Sequence, residues 1–335
     1  MSSPRTVALV GATGVVGKEF LRILEERNFE ADQWRMVASS RSAGQSLTFR
    51  GSSIQIEDLA TFDPTGVDLA FFSAGGDRSL EFIPRFVSSG AVVIDNSSAF
   101  RLDPAVPLII PEVNPEAMAS HEGILANPNC STIIALVALA PIHRAVGIRR
   151  LIVSTYQAVS GTGQAALDEL EAQTQAWARG ESPPEPSVYP HPIAFNCLPM
   201  VDRFDPEGHS TEELKMRNES RKILQAPELL VSTTCVRVPV RRSHAESIVI
   251  ETESPLSPDQ AREILRSSPG VVVVDEPQAD RYPHPLSTSG QDKVEVGRIR
   301  ESPVFQHGLA LWVTGDQLRK GAATNAVQIA ELIAH

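Results

Sequence analysis

"RTVALVGATGVVGKEFLRIL", residues 5–24, runs from an apolar stretch through three glycines into a segment whose Phe20, Leu21 and Leu24 recur at helical spacing. It reads as strand, glycine turn and helix. Gly11, Gly14 and Gly17 make G-x-x-G-x-x-G at that junction, a variant of the dinucleotide fingerprint in the context the motif requires. Small residues there let backbone N–H groups approach a pyrophosphate at the positive end of the helix dipole, with Thr13, Val15 and Val16 completing the loop. A P-loop is excluded, because no Ser or Thr follows Lys18.

Outward from this turn, "WRMVAS", "VDLAFFSAG" and "AVVIDNS" are compact apolar runs separated by helical stretches such as "RSLEFIPRFVSSG". The alternation predicts an α/β fold with a Rossmann-like, doubly wound parallel sheet. Where NAD-binding domains end their second strand on a carboxylate, this chain has "ASSRSAG". Ser39, Arg41 and Ser42 offer a guanidinium and hydroxyls, which suit a 2′-phosphate and predict NADP.

The texture changes near residue 128. An apolar helix is expected at 131–140, then long strands in "RRLIVSTYQAVSG" and "LLVSTTCVRVPV", where Val236, Val238 and Val240 alternate with Cys235, Arg237 and Pro239. This two-faced pattern predicts an antiparallel or mixed sheet, hence an α+β second domain. "GESPPEPSVYPHP", with prolines at 183, 184, 186, 190 and 192, reads as an extended excursion within it. In the tail, Ala322, Ala326, Ile329, Ala330 and Ile333 share one helical face, so that helix should return to the first domain. The expected division is 1–127, 128–316 and 317–335.

At 335 residues the chain exceeds what one core usually serves, and a net charge of −11 argues against a nucleic-acid surface. No run approaches the ~20 apolar residues of a membrane span, and no signal-peptide apolar region opens the chain, so the expected location is cytoplasmic. Cys130, Cys197 and Cys235 are far apart, without C-x-x-C or H-E-x-x-H, so neither a disulfide framework nor a metal site is expected.

Cys130 sits in "ANPNCST", at the mouth of the apolar helix, where helix-terminal N–H groups stabilise a thiolate. Taken alone, a cysteine is more often a core residue. A thiol nucleophile needs a proton-handling partner, and His244, opening "HAESIVIE" close to Arg237 in sequence, is the best-placed histidine.

"GATGVVG" (11–17), "SRSAG" (40–44), "NSSAFR" (96–101), "NPNCST" (127–132), "YQAVSGTG" (156–163), "EELKM" (212–216), "CVRVPVRRSHAES" (235–247) and "GAATNAVQIAE" (321–331) together resemble the aspartate-β-semialdehyde dehydrogenases nearly end to end. The resemblance implies reduction of β-aspartyl phosphate to aspartate semialdehyde with NADPH, in biosynthesis of the aspartate-family amino acids. It implies Cys130 as nucleophile, His244 as acid/base, Gln157 as substrate-orienting and Asn129 as carbonyl-polarising. Arg237 and Glu212 would then hold the substrate's carboxylate and amine, and Arg101 and Lys215 its phosphate. Ser160, Gly161 and Gly163 would lie near the nicotinamide, with Asn325 as a further cofactor contact. A homodimer formed through the second domain is implied too. Alternatives are N-acetyl-γ-glutamyl-phosphate reductase, which shares the thiol and acyl-phosphate chemistry, and a nonenzymatic NADP-binding regulator.

Overall fold

The computed structural model describes residues 5–334. They form two compact units, one running to Asn129 and resuming at Ala322, the other Cys130–Gly321.

The first unit carries β1 (Thr6–Val10), α1 (Val15–Glu26), β2 (Gln33–Ala38), β3 (Ser46–Phe49), β4 (Ser52–Asp58), β5 (Leu69–Phe72), α2 (Gly76–Ser88), β6 (Val92–Asp95) and β7 (Ile124–Ala126). Its sheet has the order β3-β4-β2-β1-β5-β6-β7. All neighbours are parallel except the β3–β4 edge pair. Central strands such as β5 are buried residue by residue, which is why they read as continuous apolar runs. The chain leaves β1 to pair β2 on one side and later returns as β5 on the other, so the switch point lies just past Val10. The glycine loop occupies that point. Phe20, Ile23 and Leu24 of α1 share a core with Leu9 and Phe71.

Sequence spacing did not separate the β3–β4 hairpin. Its turn is Arg50-Gly51, both with positive φ (51° and 73°), the two-residue geometry that matches strand twist. The C-terminal helix (Thr324–Ala334) returns to this unit as expected, with Ala326, Ile329 and Ala330 in the same core as α1. Arg27 Nε donates to Glu331 Oε1 at 2.7 Å across the helix pair.

The second unit contains α3 (Cys130–Val146), β8 (Ile148–Gln157), α4 (Gln164–Ala178), α5 (Thr211–Ile223), β9 (Leu230–Arg237), β10 (His244–Thr252), α6 (Pro258–Arg266), β11 (Val271–Val273), α7 (Pro285–Thr288), β12 (Val294–Glu301) and β13 (Gly308–Gly315). Its mixed sheet has the order β11-β12-β13-β10-β8-β9. The pairs β8–β9 and β11–β12 are parallel and the others antiparallel. The apolar helix expected at 131–140 runs on through Pro141 to Val146, and Ser131–Ala140 are all buried. It is therefore a core helix rather than an amphipathic one.

Helices cover the sheet face that carries Val153, Thr155 and Gln157, while Ile152 and Tyr156 face outward. Tyr156 packs against Trp312 there, with ring centroids 5.3 Å apart and planes tilted by 42°. In β9 the inward residues are Cys235 and Arg237, not Val236, and the strand ends before Val238 and Val240. The proline-rich stretch has neither helix nor strand, and Glu169 on α4 anchors it by accepting the Ser187 and Val188 N–H groups at 2.6 and 2.7 Å. Among the described residues no helix is long and apolar enough to cross a membrane.

Candidate active site

Strand register assembles the site in the second unit. Arg237 on β9 pairs with Gln157 on β8, and His244 lies one step beyond the Ala245–Tyr156 pair of β10 and β8. Arg237, Gln157 and His244 thus form one row on the helix-covered face, although up to 87 residues separate them in sequence. Alternation with period two places Cys235, Thr155 and Glu246 in the next row of the same face.

Helix α5 brings the acidic and basic members. Ser210 caps it, accepting the Glu213 N–H, while the Glu213 carboxylate accepts the Ser210 N–H, a capping box that fixes the first turn. Glu213 Oε1 also accepts the Cys235 N–H at 3.0 Å, tying the helix start to β9. Glu212 and Lys215, three residues apart, face the same way, and Lys215 Nζ donates to Glu212 Oε2 at 3.2 Å and Asp202 Oδ2 at 3.0 Å. Glu212 Oε1 accepts from Gln157 Nε2 at 3.0 Å, and Gln157 Oε1 accepts the Thr155 hydroxyl at 3.0 Å.

Arg237 is buried, and its Nη1 donates to the Ala158 carbonyl at 2.7 Å. Its Nε–H has no hydrogen-bond partner among the described residues. A buried guanidinium with an unused donor is arranged to receive an acceptor from outside the chain. His244 is fully buried and accepts the Ala158 N–H at Nδ1, 3.0 Å away. Burial, reinforced by the neighbouring Arg237 cation and opposed by Glu212, pushes the imidazole pKa down to about 3. Gly161 lies against both groups, since a Cβ there would sit 3.3 Å from Arg237 Nη1 and 3.4 Å from His244 Cε1.

Cys130 is the first residue of α3, half-buried and outside any disulfide. Gly321 packs on it so closely that a Cβ at 321 would lie 3.1 Å from the Cys130 Cβ. The other two cysteines differ: Cys197 is exposed, and burial pushes the Cys235 thiol far up. Ser160 is buried and accepts a hydrogen bond from the Gln317 amide. Gly163 starts α4 with φ 110°, in open space.

In the first unit, a Cβ on Gly11 would fall 2.2 Å from the Ser73 carbonyl oxygen, and one on Gly17 2.2 Å from the Gly11 carbonyl oxygen. Helix α1 starts at Val15 behind Gly14, without a side-chain cap. The turn is therefore a backbone cradle with helix N–H groups left for a ligand, which fits the pyrophosphate of a nicotinamide dinucleotide. Thr13 and Ser42 hydroxyls lie 3.4 Å apart, with Ser39 half-buried and Arg41 exposed at the same turn. Arg101 is buried and donates through Nε to the Asn127 carbonyl at 2.9 Å and through Nη2 to the Asn96 carbonyl at 3.0 Å. Asn129 is buried at the end of this unit. The Asn325 amide donates to the Ile109 carbonyl at 2.9 Å and to Asn127 Oδ1 at 2.7 Å. No group of three or more His, Cys, Asp or Glu suited to a metal occurs among the described residues.

Sequence spacing gave no sign of Thr155, Glu246, Gln317 or Gly321. The first two are legible only from strand register. "TGDQL" following an apolar strand could have marked Gln317, as a polar break at a buried strand end.

Two family models match in chain order: the semialdehyde dehydrogenase NAD-binding domain over residues 6–121, and the semialdehyde dehydrogenase dimerisation domain over residues 139–320. The chain is 53% identical over 330 residues to the aspartate-semialdehyde dehydrogenase of Aquifex aeolicus, covering 98% of this chain and 97% of that one. This chain belongs to the aspartate-semialdehyde dehydrogenase family. A second relative, from Legionella pneumophila, is 49% identical over 336 residues, covering 99% of this chain and 96% of that protein. The solved structure of aspartate semialdehyde dehydrogenase II complexed with ASA, from Vibrio cholerae, matches with a TM-score of 0.96 and 44% identity, covering 99% of this chain and 98% of that one. Membership makes the chain an oxidoreductase with a nicotinamide-binding domain.

Proposed function

We propose that the protein catalyses the NADP-dependent reductive dephosphorylation of β-aspartyl phosphate to aspartate semialdehyde, through a thioester on Cys130. The observation that carries this reading is the row Arg237–Gln157–His244, with the Arg237 Nε–H unpaired among the described residues and with Glu212 accepting from the Gln157 amide. Such a pocket matches an α-amino acid head: the planar guanidinium forks onto the α-carboxylate and Glu212 accepts the ammonium. Lys215 takes the phosphate, and Gln157 orients the acyl group.

In acylation the Cys130 thiolate attacks the acyl carbon and phosphate departs. The nicotinamide supplies hydride when bound. The thioester carbon accepts that hydride, and collapse of the resulting oxyanion releases the aldehyde and restores the thiolate. His244 serves the carbonyl oxygen. Asn325 holds Asn127, three residues before the nucleophile, and so supports the cofactor side of the site. Arg41, Ser39 and Ser42, without a carboxylate at the end of β2, support NADP over NAD. The outward Tyr156–Trp312 face of the second sheet supports a homodimer, with a second copy covering it.

The test is the phosphate-dependent oxidation of aspartate semialdehyde, run with NADP and NAD side by side. Turnover with aspartate semialdehyde and a clear preference for NADP are expected, the preference falling about tenfold in Arg41→Ala as one charge-assisted contact is lost. Equal rates with the two cofactors would sink the assignment of Arg41. Turnover only with N-acetylglutamate semialdehyde would sink the substrate.

A further inference from the structure

The proline-rich segment follows α4 without helix or strand, yet it is fastened along its whole course. Glu169 Oε2 on α4 accepts the N–H groups of Ser187 and Val188 at 2.6 and 2.7 Å. One turn further along the same helix, the buried Gln173 accepts those of Ile193 and Ala194 at its Oε1, at 2.9 and 3.0 Å. Leu198 then exchanges both backbone hydrogen bonds with Arg237, at 2.9 and 2.8 Å. The prolines at 183, 184, 186, 190 and 192 limit the paths open to the unfolded segment, which lowers the entropy lost in holding this one. So long a segment without regular structure is uncommon in a compact domain and usually serves a site.

What the strap holds is Tyr189. Val188 and Tyr189 pack on a small core that includes Val159, Leu170 and Ile193. The Tyr189 hydroxyl donates to Thr162 Oγ1 at 3.0 Å, and Thr162 follows Gly161, which packs against Arg237 Nη1. The ring is thus held at one end by the strap backbone and at the other by the loop that borders the guanidinium. Arg237 Cζ lies over this ring, 6.0 Å from its centre. Burial raises the phenol pKa, against the pull of the Arg237 cation and the Thr162 bond, so the ring is uncharged and its hydroxyl remains a donor.

A buried cation needs electrostatic compensation. A carboxylate partner would supply it by occupying N–H donors, and those are what an incoming carboxylate has to find free. An aromatic face supplies it through its quadrupole and occupies none of them. Arg237 spends Nη1 on the Ala158 carbonyl, while its Nε–H is unpaired among the described residues.

We propose that Tyr189 is a positioning residue for the substrate's α-carboxylate: the proline-rich strap presents its ring to the face of the Arg237 guanidinium, stabilising the cation while leaving donors on its edge for the substrate. This rests on the function proposed above and gives the strap its part in it. No bond forms or breaks at Tyr189, so its contribution lies in substrate binding and not in the chemical steps.

The test is steady-state kinetics of the phosphate-dependent oxidation of aspartate semialdehyde, with a separate KM for the aldehyde, phosphate and NADP, in wild type, Tyr189→Leu and Tyr189→Phe. Leucine keeps apolar packing but has no aromatic face; phenylalanine keeps the face and loses only the bond to Thr162. In Tyr189→Leu the KM for aspartate semialdehyde should rise about tenfold, as for loss of one cation–ring contact at a desolvated site, with kcat within about twofold and the other two KM values unmoved. Tyr189→Phe should stay within about twofold of wild type. Glu169→Ala, which cuts the strap from α4 and leaves the ring chemically intact, should give the same selective rise, and it stands in if Tyr189→Leu does not fold. An unmoved aldehyde KM in Tyr189→Leu and Glu169→Ala would overturn the proposal, as would a rise shared by phosphate or NADP, the sign of a merely structural role. A loss in Tyr189→Phe equal to that in Tyr189→Leu would move the effect from the ring to the hydroxyl and overturn it too. Wild type inert toward aspartate semialdehyde would remove the function proposed above and this assignment with it, whereas an active wild type with unmoved variants removes the assignment alone.

Discussion

The two units build their sites from different materials. The first makes its cradle from backbone: Gly11 and Gly17 allow contacts that no side chain would fit, and the helix behind them offers uncapped N–H groups. The second makes its site from side chains on three strands and two helices, the strand residues brought together by register. Backbone sites are local in sequence, whereas side-chain sites are assembled. The first kind tolerates change around it but not at its glycines; the second fails one chemical role at a time.

The sharpest way to break that contrast is Cys130→Ala. Loss of the nucleophile should lower turnover by about 10³-fold or more, while cofactor binding measured by fluorescence titration stays within about twofold of wild type, since the cradle uses no thiol. A parallel loss of cofactor affinity would mean that the two sites are not separable. Next comes Arg237→Lys, which keeps a charge but removes the planar fork and the donor to the Ala158 carbonyl. A fall in kcat/KM of about 10²-fold is expected, chiefly through KM. Little change would show that the unused Nε–H is not a substrate contact.

Gly11→Ala probes the other unit. Its φ of 90° and the 2.2 Å approach to the Ser73 carbonyl oxygen leave no room for a methyl group. Destabilisation of about 1–3 kcal/mol should appear in chemical denaturation, with KM for NADPH raised roughly tenfold and the thiol's reactivity toward an alkylating reagent unchanged. Normal stability and KM would break the comparison from the opposite side.

How much of this was legible follows the same division. "GATGVVG" announced its turn, its ligand class and the sheet around it, because strand, glycines and helix are contiguous. The returning C-terminal helix was legible from its apolar face, and helix α3 was legible in type but ended six residues late, because Pro141 looks like a terminator and is carried within the helix. The β3–β4 hairpin escaped because its turn is Arg-Gly rather than the commoner Asn-Gly. In the second unit, His244 was singled out from its sequence surroundings, whereas the roles of Arg237 and Gln157 entered only through resemblance to a family. Nothing within a window of one strand says that they share a row, and in "CVRVPV" the inward position falls to Arg237 rather than to the neighbouring Val236. Glu246 shows the limit best: nothing in "HAESIVIE" marks a carboxylate as interior, yet it is buried in the row beneath His244.

That carboxyl yields the smallest effect and the most specific sign. Neither Glu246 oxygen has a hydrogen-bond partner among the described residues, and burial, with Glu212 nearby, raises its pKa well above the usual carboxylate range. A carboxyl raised in the folded state binds its proton more tightly there than in the unfolded chain. Below about pH 4.3, the unfolded value, both states hold the proton and pH makes no difference. As pH climbs from there toward the folded pKa, the unfolded chain ionises while the folded one does not, so folding stability falls with rising pH. Glu246→Gln keeps the shape of the neutral acid and removes the ionisation. Its melting temperature should match wild type near pH 4 and exceed it by a few degrees at pH 8, consistent with a difference of about 1 kcal/mol. The gap must widen with pH, because only the wild type loses stability. A constant offset would trace the effect to packing, and a variant less stable at pH 8 than at pH 4 relative to wild type would show that Glu246 is ionised and satisfied in the fold.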